Sequence, residues 1–332
     1  MNVRLFALVA LLGGCPSEDA APAMMVSELG AAPAESELTR RFQRLGKNAT
    51  WTLVDRIPMG FPTYHTQGLV KIGDDFYVSS VEVLESTQRN GTSTDALRDF
   101  GTDRSEGKGR GWLFRFDRTG ALVARRELTA GSIYHPGGID FDGRHLWVPV
   151  AEYRPNSRSH VYRVDPATLE AELALVVADH LGGVVHDVER GTLHGVSWGS
   201  RRLYTWPDDD ANAAGSWTVN PSFYVDYQDC HYAGPGHMLC GGVGSYAVPG
   251  GASIAFGGLD LVDLRDGRPR HQVPVNVFVD EGKGPGAGLA LTHNPFWAEP
   301  AGDEALRFYF MPESDNQAEL LVYEATPWGV AR

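Results

Sequence analysis

The chain has 332 residues, 42% of them hydrophobic and 21% charged, an ordinary balance for a globular protein with one large domain or two smaller ones. Its formal net charge of -13 argues against nucleic acid as a partner, because that binding neutralises phosphates with Lys and Arg. The same charge argues against electrostatic attraction to anionic lipid.

The first residues read as an export signal. Arg4 precedes the short apolar run Leu5 to Leu12, which is too short to span a bilayer as a mature helix. The run ends in Leu12-Gly13-Gly14-Cys15, which resembles the bacterial lipobox. That resemblance implies cleavage after residue 14 and acylation of Cys15, so that the membrane is met only through a lipid anchor, facing the periplasm or at the cell surface. Residues 15–48, rich in Ala, Pro, Ser and Glu, read as a tether, with a helical turn at Ser36 to Phe42. With Cys15 set aside, Cys230 and Cys240 remain as a pair around the turn sequence Gly234-Pro235-Gly236. On facing strands they could form a disulfide; two buried free thiols are the alternative.

From residue 49 onward the chain repeats. His65-Thr66-Gln67-Gly68-Leu69 leads into Phe76 to Glu82. His135-Pro136-Gly137-Gly138-Ile139 leads into Leu146 to Glu152, and His180-Leu181-Gly182-Gly183-Val184 into Leu193 to Trp198. Each pair of strands is followed by a third (Gly111 to Asp117, His160 to Asp165, Arg202 to Trp206), and a fourth returns at Leu173 to Val177. Four short strands at a spacing of about 45 residues (Gly138 to Gly183) predict a β-propeller blade.

Weaker copies follow at Tyr227 to Val279 and from Gly288 to Tyr323, the last with Gly288-Leu289-Ala290-Leu291 as its inner strand. The final unit lacks a fourth strand, whereas residues 51–57 form a strand without a blade. Pairing the two closes the ring and removes an exposed edge. The expected fold is all-β, a single propeller at residues 49–332 with five blades, or six if two units have been merged. Blade one carries about 25 extra residues, between Glu85 and Arg110, long enough for a functional loop overhanging one face.

The repeat also places chemistry. His65, His135 and His180 recur at the entry turn, and Glu82, Glu152 and Glu313 recur after the second strand, so three imidazoles and three carboxylates are expected around one channel mouth. Imidazoles on separate rigid strands suit one divalent metal ion, with His65, His135 and His180 as ligands. A metal could activate water for hydrolysis of an ester or lactone. Without metal, Glu82 or Glu152 would act as base and His135 as its acid partner. Tyr64, Tyr134, Arg154, Asn156, Trp198, Asp229 and Glu313 are further candidates for ligand contact, while His186 and His194 sit inside strands as packed histidines. Structural roles for the repeated His compete with all of this.

The run His135 to Ile139 with Ala151-Glu152-Tyr153-Arg154-Pro155-Asn156-Ser157-Arg158-Ser159 and Leu193-His194-Gly195-Val196-Ser197-Trp198-Gly199-Ser200 resembles a family of uncharacterised secreted proteins known only as a domain of unknown function. The likeness covers nearly all of the chain from Trp51 onward and implies a propeller without an activity. Gluconolactonase-like propellers share the blade grammar, but their metal ligands are Glu, Asn and Asp rather than His. Thr66-Gln67-Gly68-Leu69 resembles the first-blade motif of plant-type glutaminyl cyclases, which carry a Glu where this chain has Val78. Two functions follow as expectations: an exported propeller acting as a metal-assisted hydrolase or lyase on a small polar substrate, or a non-catalytic propeller binding a small ligand or a partner protein.

Overall fold

The computed structural model describes residues 35–92, 101–208, 215–247, 249–251, 253–279, 288–313 and 318–329. The acylation candidate Cys15 and most of the expected tether lie outside them. Five four-stranded antiparallel blades follow one another. Blade one comprises His65–Ile72, Asp75–Glu85, Lys108–Asp117 and Leu122–Glu127. In blade two, Ile133–Pro136 and Asp140–Phe141 share the inner position, ahead of Leu146–Glu152, Ser159–Val164 and Ala171–Val177. Blade three comprises Leu181–Asp187, Thr192–Ser197, Arg202–Pro207 and Ser216–Val219; blade four comprises Asp226–Gly234, His237–Ala247, Ser253–Asp263 and Pro269–Val275.

The fifth blade closes the ring as the unpaired first strand requires. Thr50–Pro58 pairs antiparallel with Glu319–Thr326, Thr50 opposite Thr326. The inner strand of this blade differs from the expected one. It is Phe296–Ala301, while Leu289–Ala290 forms a separate two-stranded ladder with Phe278–Val279. Pro300 makes the true strand look broken in sequence, yet it stands near the strand's end opposite Leu306, where a missing N–H costs little. Phe296, fully buried, anchors the strand in the core.

The repeated glycines set how closely the blades approach. A Cβ on Gly68 would lie 2.5 Å from the backbone nitrogen of Ile139, and one on Gly138 would lie 2.5 Å from Asp229 Oδ1. At Gly68 the inner strands of neighbouring blades meet backbone to backbone, as they do at the parallel bridge Gly138 to Gly183, while Gly138 also meets Asp229 of blade four. The repeat read in sequence is therefore first a packing requirement.

A buried ionic cluster ties the inner strands together. Asp229 Oδ2 accepts from the amides of Leu69 in blade one (3.0 Å) and Phe296 in blade five (3.3 Å), and lies 3.2 Å from His231 Nε2. On the other side Asp140 accepts from the amides of His186 (3.1 Å) and Tyr232 (3.2 Å), with His231 Nδ1 3.8 Å away. Burial alone would drive the proton off His231, but Asp229 and Asp140 outweigh it and raise its pKa to about 10.

The helix Glu37–Phe42 belongs to the propeller body rather than to the tether expected up to residue 48. Ser36 caps it, Thr39 donates to Ala233 O at 2.8 Å, and Phe42 is fully buried among core residues of blades four and five. Cys230 and Cys240 face each other in register across the Gly234–Gly236 turn and are joined as a disulfide.

Candidate functional site at the propeller mouth

The three repeated histidines converge. His65, His135 and His180, one from each of the first three blades, line a single cavity of about 240 Å³. The His135 ring stands 6.3 Å from His65 and 5.5 Å from His180, centroid to centroid. Tyr153 stacks on His135 at 4.0 Å, and Trp198 meets His180 edge-on at 4.7 Å. His180 Nδ1 donates to Glu152 O at 2.8 Å, which fixes its tautomer and leaves Nε2 as an acceptor. His135 is only 4% exposed, and its Nδ1 has no hydrogen-bond partner.

All three imidazoles are held neutral. Burial is the main cause in each case. It brings His65 to about 4, aided by nearby His293. His180 also falls to about 4, against the pull of Glu152 O and Asp179. His135 lies well below the ordinary range because His180 and His65 add to its burial. The cavity therefore offers uncharged imidazoles that can accept a hydrogen bond.

The blade-one insert reaches this mouth, as its length led one to expect. Asp103 holds Arg104 by two hydrogen bonds, at 2.7 and 2.9 Å, and the Arg104 guanidinium lies 4.7 Å from the Trp198 ring centroid in blade three. Tyr134 OH donates to Glu106 O at 2.7 Å, and Arg154 pairs with Glu106 at 2.9 Å. Residues 101–107 are thus fastened to blade two beside the cavity.

The carboxylates do not converge with the imidazoles, and here the sequence expectation is corrected. Glu152 turns its side chain to Arg154 (2.7 Å), Arg158 (3.4 Å) and Ser132 (2.9 Å). Glu82 accepts from Trp112 Nε1 at 3.1 Å and faces Arg110 at 3.6 Å, while Glu313 accepts from the amide of Glu319. Each stands where its chain leaves the channel, and basic or N–H groups nearby draw the charge away from the mouth. None of the three lines the cavity. Among the described residues, no three His, Cys, Asp or Glu side chains are grouped to hold a metal ion.

Other candidates are placed differently as well. Tyr64, at a positive φ of 55°, packs near Phe114 in the core. Tyr134 and Arg154 hold the insert rather than line the cavity. Asn156 accepts from Arg202, and Asp229 is the centre of the buried ionic cluster. Of that group only Trp198 lines the cavity.

Residues 28–327 match the family of unknown function DUF6454. The chain belongs to this family. No curated protein matches its sequence. Among solved structures it is similar to a luciferin-regenerating enzyme (TM-score 0.47, 10% identity, over 85% of this chain and 97% of that one). It is also similar to an endo-arabinanase of Bacillus licheniformis (TM-score 0.44, 11% identity, 80% and 95%) and to a PQQ-bound aldose sugar dehydrogenase of Streptomyces coelicolor (TM-score 0.39, 14% identity, 85% and 99%).

The site residues of this family member that sequence reasoning passed over are Gln67, Tyr153, Ser197, Asp226, Tyr227 and Gln228 on the lining, with Arg104 from the insert. Gln67 and Tyr153 lay inside the repeated motifs and were available to be found by their place next to His65 and Glu152. Asp226 and Gln228 belong to the fourth unit, which has no entry His to mark it.

Proposed function

We propose that this protein is an exported, lipid-anchored propeller that binds a small polar ligand in the mouth cavity and acts on it as a hydrolase or lyase. The observation that carries the reading is His135: a buried imidazole with an unpartnered Nδ1, facing a cavity walled by two further neutral imidazoles. A buried polar atom without a partner is costly, and a ligand group placed there would relieve the cost. Of the candidate acid–base groups His135 is the one on the cavity, whereas Glu82 and Glu152 lie off it.

The test is a turnover screen of lactones, esters and elimination substrates on the full-length protein. Activity that falls by about 100-fold or more in His135→Ala, and persists in Glu82→Gln, supports the reading. Equal loss in the two variants would restore the carboxylate as base. A second proposal is that the three imidazoles, which are not grouped as ligands in this structure, close on one divalent metal ion when it binds. Elemental analysis decides it: stoichiometric metal that disappears in His65→Ala/His135→Ala assigns the imidazoles as ligands.

Export is supported by the disulfide, which suits an oxidising compartment. Cys15 is the residue proposed to carry the lipid. In cells grown with labelled palmitate the parent chain is expected to take up label and Cys15→Ala to take up none; label retained by the variant rules out this anchor.

A further inference from the structure

The lining also speaks to what kind of group the cavity takes, on the reading that the mouth is a ligand site. Several of its lining groups present hydrogen-bond acceptors. His180 has its Nδ1 proton on Glu152 O, so Nε2 presents a lone pair. Gln67 turns its amide nitrogen to Thr66 O at 2.9 Å, and Gln228 turns its own toward Asp226 O at 3.5 Å, so each offers Oε1. Asp226 adds a carboxylate at the rim, with Arg201 facing it at 3.5 Å from outside the lining.

The walls favour the same partner. Tyr153 and Trp198 line the cavity, and aromatic faces attract cations. One cation is already seated at this mouth: the insert lays Arg104 over the Trp198 ring at 4.7 Å and matches its charge with Asp103. The protein's own guanidinium therefore shows what these rings accept.

We infer that the mouth cavity binds a small organic amine, holding an ammonium or guanidinium group among aromatic rings and hydrogen-bond acceptors, in preference to an anion or a neutral sugar.

Calorimetric titration of the full-length protein with agmatine, choline, glucose and citrate tests this. Agmatine or choline is expected to bind at least about ten-fold more tightly than glucose or citrate. Asp226→Asn should weaken the amine by roughly ten-fold, and Gln228→Glu should tighten it by a few-fold, since each changes one charge at the rim. Both positions lie at the edge of the cavity, and melting curves verify that the variants fold. Binding of citrate or glucose instead, lost in His135→Phe, overturns the amine and leaves the cavity as the ligand site. Amine binding that survives both Asp226→Asn and His135→Phe places the ligand elsewhere and overturns the site as well. Absence of binding by both amines also overturns the inference.

Discussion

Replacing Asp229 by Ala is expected to cost about 3–5 kcal/mol of folding free energy, the cost of removing one partner from a buried ion pair. The loss has three parts. The His231 charge is left between blades with only Asp140 to answer it, at 3.8 Å. The amides of Leu69 and Phe296 lose their shared acceptor, and with it a link from blade four to blades one and five. A cavity opens where Asp229 was fully buried. Because domains are stable by about 5–15 kcal/mol, such a change takes a large share of the total. Urea unfolding of the variant beside Asp303→Ala, an exposed aspartate, measures it. The surface variant should move by no more than about 0.5 kcal/mol. A loss under about 1 kcal/mol for Asp229→Ala would show that the cluster does not hold the blades together.

The second large effect is one of acidity. An imidazole whose folded pKa lies below its unfolded value stays neutral in the fold while the unfolded chain takes up the proton. Its stabilisation is therefore present above the unfolded value, near 6.5, and is lost as the pH falls from there toward 4. His65, His135 and His180 all behave this way. Asp229 and Asp260 act in the opposite sense. Burial raises both to about 6, so they take up protons in the fold first and offset part of the loss. The clean measurement is a difference. Between pH 7 and pH 5, with EDTA present, His180→Gln should lose about 2 kcal/mol less unfolding free energy than the parent, because one neutral imidazole has been removed from the balance. Equal losses in parent and variant would mean that His180 titrates normally.

The blades were legible because a propeller writes its period into the chain. His65, His135 and His180 share one offset from the glycines beneath them, so a place found for one is found for all three. Gly68 and Gly138 carry that signal through contacts too close for a Cβ. The last blade was harder, because Pro300 breaks the pattern of a strand that the fold nevertheless uses. The carboxylates were misplaced for a different reason. A repeat fixes where a Cα lies, but the side chain turns toward whatever charge is nearest. Arg154 and Arg158 lie in a loop beyond the repeat, and they decide where Glu152 points. Asp226 and Gln228 could not be found by comparing units, since the fourth has diverged from the others.

Closing the ring with its first strand has a consequence for how the chain is made. Thr50–Pro58 pairs with Glu319–Thr326, which is synthesised after the other four blades. Contacts between such distant segments form slowly, and a partly made chain leaves strand edges open until they do. The first strand of the propeller must therefore wait through the synthesis of the other blades, and the ring is completed only when the fifth blade has emerged.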